Sequence, residues 1–410
     1  MTAWLNIIGI GEDGVAGLSA SARAALSNAE TILGGDRHHD LAGVTKAKRL
    51  SWPSPFDAMI NAITAHRGRP MVVLATGDPL WYSVGARIAK AIPSSEIVFH
   101  PQISAFQWAA CRMGWSLADA ETLTAHGRPV EQVIPYFWPG ARLLVLTAGP
   151  ETPEQIARLL TGRGFGASTM TILANLGGAQ EERLDGTAAD WVETAPTIPA
   201  FHTLAISCLG APRNLLSRLP GLPDEAFEHD GKMTKRDIRA ATLAKLMPAR
   251  GEVLWDVGVG CGSVAIEWMR AAPSAAAIGF DTHAERLAMA RRNADTLGSP
   301  GLVLLEGEAP AILDRIPESV GTKPDLRHPN AVFIGGGLDA CVVDKILARL
   351  RPKGRLVANA VTLESESCLA ALHETHGGQL TRISTAHAQP VGPYRGWRAA
   401  MPVTQWSLIQ

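Results

Sequence analysis

The chain is short of cysteine, short of net charge and without a long apolar run. Its five cysteines in 410 residues, Cys111, Cys208, Cys261, Cys341 and Cys368, are odd in number and widely spaced. No close pair suggests a zinc site or a redox centre, so no metal is expected and a reducing, cytoplasmic compartment fits best. Thirty-eight basic residues against 39 acidic ones leave a formal charge of -1, which provides no global field for nucleic acid or an anionic membrane. No apolar run approaches the ~20 residues that span a bilayer. The opening residues, Met1 to Ile8, carry no basic stretch of the kind that precedes an export signal. Also missing is a lysine-bearing phosphate loop, and the glycine loop of the second half lacks Gly-x-Gly-x-x-Gly spacing, which argues against nucleoside triphosphates and, at that loop, against NAD.

What is present is globular: 46% hydrophobic residues, 19% charged, 40 glycines and 27 prolines. A chain this long exceeds one ordinary core and reads as two domains. The first, 1–208, alternates short apolar runs with helical patterns. Trp4 to Ile10 and Pro70 to Ala75 read as strands, with helices near 83–91, Ala105 to Met113 and Pro153 to Leu160. Such alternation implies parallel strands joined by helices. Proline and glycine cluster from Leu209 to Pro223, which places a linker at 209–223. The second domain, 224–410, alternates regularly from strand 252–257 to strand 355–361 and reads as a doubly wound, Rossmann-like sheet. The fold class is therefore α/β in both halves.

Two glycine-centred loops each follow a strand-like run, Gly77-Asp78-Pro79 in the first half and Asp256-Val257-Gly258-Val259-Gly260-Cys261-Gly262 in the second. Glycines there let the chain turn tightly and let backbone approach a ligand. In the second loop the third glycine comes one position too early for a pyrophosphate grip. About 20 residues on, Asp281 ends the next strand, where a carboxylate can accept both ribose hydroxyls. Glu308 and Ala309 follow the third strand, near an adenine, and Gly335 follows the fourth. The cofactor these features favour is S-adenosylmethionine, at two separate sites. Cys261 reads as a small loop residue, since no base lies near it in sequence to make it a nucleophile.

Thr234 to Arg239, Leu254 to Glu267, Phe333 to Gly336 and Gly354 to Glu364 resemble the decarboxylating C15 methyltransferases of corrin biosynthesis over nearly the whole second domain. Gly77 to Leu80, Pro101 to Ala105 and His126-Gly127-Arg128 resemble the tetrapyrrole methylases, in particular their C5 corrin branch. The resemblance implies a class III tetrapyrrole methylase domain followed by a class I methyltransferase domain. It implies S-adenosylmethionine as cofactor, methylation at C5 and C15, loss of carbon dioxide from the C12 acetate, and a homo-oligomer. It also adds Ser104 to the first cofactor site. The chain departs from the family at Gly9-Ile10-Gly11-Glu12-Asp13-Gly14, which lacks the usual proline, and at Gln102, where glycine is usual.

A precorrin substrate is an apolar macrocycle fringed with carboxylates, and arginine's planar fork suits those groups. Arg128, Lys235, Arg236 and Arg239 are the candidates. The last three crowd the start of a helix, where cations oppose the helix dipole. The alternative is a solvated basic face or ion pairs to Glu228 and Asp230. Methyl transfer to an electron-rich carbon needs positioning more than a nucleophile, whereas decarboxylation is helped by a proton donor or a desolvated carboxylate. Thr234, Lys235, His283 and Glu308 are candidates for that role and remain unranked. His38, His39 and His66 are expected to be surface residues. A class I RNA methyltransferase, or a fusion in which only the second domain acts, stays open as an alternative.

Overall fold

The computed structural model describes residues 3–194, 196–212, 215–319 and 325–410. Contacts divide the chain into two units, Met1–Val130 with Tyr136–Arg213 and Glu131–Pro135 with Asn214–Gln410. Of the linker expected at 209–223, Arg213 and Asn214 lie outside the described residues.

In the first unit, β1 (Leu5–Ile10), β2 (Thr31–Leu33), β3 (Lys48–Leu50), β4 (Met71–Thr76) and β5 (Ile97–His100) form one parallel sheet in the order β3-β2-β4-β1-β5. Its central strands are apolar without alternation because both faces are covered. Met71 and Val73 face a core shared with Met59, Ile63 and Ile88. Val72 and Leu74 face another, shared with Leu18, Ala22 and Leu26.

A second sheet departs from the parallel arrangement that the alternation suggested. It contains β6 (Glu121–Thr124), β7 (Arg142–Leu146), β8 (Thr169–Ala174), β9 (Glu182–Thr187) and β10 (His202–Ser207) in the order β6-β7-β10-β8-β9. Among its neighbours β6 and β7 alone run parallel. The link from β8 to β9, residues 175–181, is too short for the crossover that a parallel pair requires.

The second unit holds β11 (Val253–Val257), β12 (Ala276–Asp281), β13 (Val303–Glu306), β14 (Ala331–Ile334), β15 (Arg355–Ala360), β16 (Gln379–Ile383), β17 (Ala386–Val391), β18 (Tyr394–Ala399) and β19 (Val403–Ile409). The main sheet runs β13-β12-β11-β14-β15-β19-β16, while β17 and β18 form a separate antiparallel pair. From β13 to β15 all neighbours are parallel, and β19 and β16 add an antiparallel edge. Strand order reverses direction between β11 and β14, the switch point where such sheets open a crevice at their carboxyl edge. Trp255 and Trp268 are fully buried. Their indole N–H groups donate to Leu326 O at 2.9 Å and Ala276 O at 3.1 Å, so neither burial leaves a donor unpaired.

A buried ion pair ties the entry segment to this core. Arg239 is 0% exposed and Glu267 1%. Arg239 Nε donates to Glu267 Oε1 at 2.6 Å, and the same carboxylate accepts the Gly221 and Leu222 N–H groups at 2.6 and 3.0 Å. Removing one partner strands the other charge in a medium that solvates it poorly, at about 3–5 kcal/mol. Glu267→Ala is therefore expected to destabilise the chain by that amount in urea unfolding. Unfolding at the wild-type midpoint would show that Arg239 can be solvated where it stands.

Candidate functional site

In the second unit, β11 ends on Asp256 and Val257 and the chain turns through Gly258–Gly262 into the helix Ser263–Ala271. Gly258 has φ +75°, and a Cβ placed on it would lie 2.8 Å from Gly336 N and 3.0 Å from its Cα. The ends of β11 and β14 thus meet backbone to backbone, which no other residue allows. Gly335 N–H donates to Val257 O at 2.9 Å. On the other side, Gly258 and Val259 N–H both donate to Phe280 O at 2.9 Å, and Gly260 N–H reaches Asp281 Oδ2 at 3.0 Å. Gly307 N–H donates to Asp281 O at 3.0 Å, which brings the loop carrying exposed Glu308 and half-buried Ala309 alongside. Four strand ends, those of β13, β12, β11 and β14, are laced together in this way. They unite the sequence-predicted Asp256, Gly258, Gly260, Gly262, Asp281 and Gly335.

Two carboxyl groups sit beneath this edge. Asp256 is 1% exposed. Its Oδ2 accepts the Ala265 N–H at 3.0 Å, whereas its Oδ1 is buried with no hydrogen-bond partner. Burial pushes its pKa up to about 7, and the nearby Asp281 charge acts in the same direction. Asp281, 6% exposed, instead holds N–H groups on both oxygens, Gly260 on Oδ2 and His283 on Oδ1 at 3.1 Å. The His283 ring, 64% exposed, lies with Nδ1 3.2 Å from the same Oδ1. Cys261 is buried, and burial raises its thiol pKa, in keeping with a small loop residue and not a nucleophile. Its carbonyl accepts Asn293 Nδ2 at 2.9 Å.

The cationic segment before the helix Arg236–Leu246 passes over the glycine loop. A Cβ on Gly260 would lie 3.9 Å from the Lys232 carbonyl. Lys235, at the helix N-cap, and Arg236 are exposed, and neither is ion-paired to an acidic side chain among the described residues. Glu228 pairs with Arg292 and Asp230 with Arg286, so the alternative ion pairs expected for this cluster do not form. Arg239 corrects the sequence expectation. Its guanidinium is fully buried, bonded to Glu267, Asp224, Thr234 O and Leu222 O, and stacked 4.8 Å from the Phe227 ring centroid. Four of its five N–H groups are bonded and the group is sealed from solvent, so it cannot meet a substrate carboxylate. Half-buried Thr234 contributes its carbonyl to the same network.

The first unit repeats the device. Gly77 follows β4 with φ +58°, and a Cβ there would lie 3.0 Å from Ser104 Cα. A Cβ on Gly9 would fall 1.9 Å from Gly77 O. The loops after β1, β4 and β5 therefore converge on an open pocket lined by Gly11, Glu12, Thr76, Gly77, Trp108 and Phe201 among others. Arg37 pairs with Glu12 and lies 3.6 Å over the Phe201 ring. Of the sequence-predicted residues here, Gly77 lines this pocket, while Asp78 and Pro79 flank it. Asp78 Oδ1 accepts the Leu80 N–H at 2.7 Å. Ser104 is buried and its hydroxyl caps the helix Ala105–Met113 by accepting the Gln107 N–H at 3.3 Å. Gln102 Nε2 donates to Gly17 O at 2.7 Å, tying the segment after the atypical opening loop to the loop that follows β5.

Two histidines correct the expectation of surface positions. His39 is 6% exposed, and half-buried His38 meets Thr76 Oγ1 at 2.9 Å. Burial lowers the His38 pKa to about 4, with help from Arg37 and His39, so the ring is neutral near pH 7. Arg128 is exposed and stands 5.7 Å over the Tyr82 ring. Sequence reasoning missed Glu12, Arg37, Trp108 and Phe201, which come from four elements with no common spacing. No helix among the described residues is long and apolar enough to cross a membrane.

Residues 5–191 match the family model described as Tetrapyrrole (Corrin/Porphyrin) Methylases, and residues 225–410 match the one described as Precorrin methyltransferase domain. A Sinorhizobium protein named precorrin-6Y C(5,15)-methyltransferase (decarboxylating) is 43% identical over 413 residues, 99% of this chain and 96% of its own. A Mycobacterium tuberculosis protein of the same name is 36% identical over 407 residues, 98% of this chain and 99% of its own. The solved C-terminal domain of precorrin-6Y C5,15-methyltransferase from Rhodobacter capsulatus covers 48% of this chain and 100% of itself, at 47% identity and a TM-score of 0.43.

The buried Asp256 carboxyl sets a pH dependence with a definite sign. Its folded pKa of about 7 lies above the ordinary 3.8, so the folded state retains a proton that the unfolded state releases. The resulting stability is present below pH 4 and is lost as pH rises from about 4 to 7. Asp256→Asn keeps an acceptor for Ala265 and has no such titration. Thermal unfolding of the unliganded chain at pH 5 and pH 8 is expected to show the variant gaining on wild type at the higher pH. An equal difference at both pH values would mean that Asp256 ionises normally.

Proposed function

We propose that this chain, which belongs to the precorrin-6Y C5,15-methyltransferase (decarboxylating) family, methylates precorrin-6B at C5 and C15 and removes carbon dioxide from its C12 acetate, giving precorrin-8X for cobalamin biosynthesis. The first unit carries the C5 transfer. The second carries the C15 transfer and the decarboxylation. The observation on which the two-site reading rests is the pair of glycine-lined strand edges, Gly9 against Gly77 and Gly258 against Gly336.

The methyl donor in this reading is S-adenosylmethionine at both sites. The second site suits it: a backbone cradle without side chains, no lysine or arginine within the loop, a buried Asp256 Oδ1 lacking a partner, and a second carboxylate at the end of β12. Asp256, Gly258, Gly260, Cys261, Gly262, Asp281, Glu308, Ala309 and Gly335 would hold it there. Gly77, Asp78, Pro79 and Ser104, with the pocket walls beside them, would do so in the first unit. When bound it supplies a methyl group on a sulfonium centre.

The chain's own residues then have three tasks. Asp281 would exchange its bonds to the Gly260 and His283 backbone N–H groups for ribose hydroxyls, and Asp256 would lend negative charge beneath a cationic ligand. Lys235 and Arg236 meet substrate carboxylates above the Gly260 loop, as Arg128 does in the first unit. Held in line, the electron-rich ring carbon needs little further help. His283 keeps Nδ1 on Asp281, which leaves Nε2 able to carry a proton during decarboxylation, and exposed Glu308 is the other group within reach of that edge. A cytoplasmic homo-oligomer completes the reading.

The test separates the loops. Wild type with precorrin-6B and S-adenosylmethionine is expected to give a product with two added methyls and one lost carbon dioxide by mass spectrometry. Gly258→Val, which meets Gly336 backbone, should abolish the carbon dioxide loss and one methyl. Gly77→Val should abolish only the other methyl. No mass change from a folded wild-type chain would sink the assignment.

A further inference from the structure

An exposed aromatic step follows the Gly77 wall of the first-unit pocket along the chain. The chain leaves Gly77, a pocket wall, and runs within five residues through Leu80, Trp81 and Tyr82, which are 50%, 37% and 44% exposed. Asp78 fixes the start of this step by accepting the Leu80 N–H. Tyr82 then adopts φ +52°, a left-handed conformation that a bulky residue takes only where its surroundings enforce it. The Tyr82 hydroxyl donates to Thr122 O at 2.9 Å. The rings of Trp81 and Tyr82 both rest on buried Phe106, with centroids 5.2 and 5.9 Å away. From the other wall, Ile103 both lines the pocket and is 44% exposed, which puts it at the mouth.

Arg128 completes the patch. Its guanidinium carbon lies 5.7 Å from the Tyr82 ring centroid, and no acidic side chain among the described residues pairs with it. A cation left over an exposed ring, beside further exposed apolar surface, is suited to a flat apolar ligand with carboxylates at its edge. Water or an inorganic anion would use the charge and leave the rings unused.

We propose that Trp81 and Tyr82, with Arg128 at their edge, form the seat on which the first unit holds the face of its tetrapyrrole substrate. The inference rests on the reading of this unit as a tetrapyrrole methyltransferase and names the residues that select that substrate. Trp81 and Tyr82 supply the apolar platform next to the pocket, and Arg128 pairs with a peripheral carboxylate. These are binding and orienting roles, so loss of the seat raises KM for the tetrapyrrole while affinity for the methyl donor is kept.

Two measurements test it on the full chain: binding of uroporphyrin III and of S-adenosylmethionine, and the KM for precorrin-6B in the methylation that Gly77→Val abolishes. Trp81→Ser combined with Tyr82→Asn, which tolerates the left-handed conformation, is expected to raise that KM at least about tenfold, the scale of losing a ring from a stacked ligand. Arg128→Gln should raise it too, and more at low salt than at high salt. Trp81→Phe should recover much of what Trp81→Ser loses. Unchanged S-adenosylmethionine affinity in all variants reports an intact fold. Wild-type KM in the double variant would overturn the seat and leave the assignment of function standing. A wild-type chain that binds no tetrapyrrole would overturn both.

Discussion

At each candidate edge, two strand ends approach so closely that only bare backbone fits between them. In the first unit a Cβ on Gly9 would sit 1.9 Å from Gly77 O, and in the second a Cβ on Gly258 would sit 2.8 Å from Gly336 N. This constraint decides much else. The loops cannot relax outward, because Gly77 N–H is held by Ile10 O at 3.1 Å and Gly335 N–H by Val257 O. Carboxyl groups and helix starts are thereby fixed around these glycine edges. A ligand at the Gly258 edge would be met by N–H and C=O groups whose positions are set by the sheet.

Charge is arranged around these edges by burial. In the second unit Asp256 and Asp281 are inside, and Lys235 and Arg236 are outside. Asp256 is sealed under the loop with one oxygen unpaired, while Lys235 and Arg236 project from the segment above it. Arg239, three residues beyond Arg236, shows how sharply position decides role. One helical turn along, the same side chain becomes the buried partner of Glu267 and holds the domain together. The near-zero net charge of the chain conceals this local separation, which is what a carboxylate-rich substrate and a cationic methyl donor would both require.

Much of the second site was legible in the sequence, because its parts sit at the ends of consecutive parallel strands. A strand, a glycine loop, a helix and an acid about 20 residues on have a fixed relation in such sheets, so Asp256, Gly258, Gly260, Asp281 and Gly335 could be placed from spacing alone. The antiparallel half of the first unit was not legible in this way. Its order β6-β7-β10-β8-β9 depends on long-range pairing that leaves no local period. The pocket residues Trp108 and Phe201, with the Arg37–Glu12 pair, were missed because tertiary packing and not local spacing brings them together. Arg239 was misread because a cation near a helix start looks like a ligand group until its burial is known. His38 and His39 were misread because a histidine's apolar neighbours are set by tertiary packing.

In the function proposed above, one chain carries two independent methyl-donor sites, each built on a glycine-lined strand edge. The most direct measurement is the number of S-adenosylmethionine molecules bound per chain at saturation, by equilibrium dialysis with labelled ligand. The account predicts two. A single bound molecule per chain, at concentrations well above the measured Kd, would contradict it.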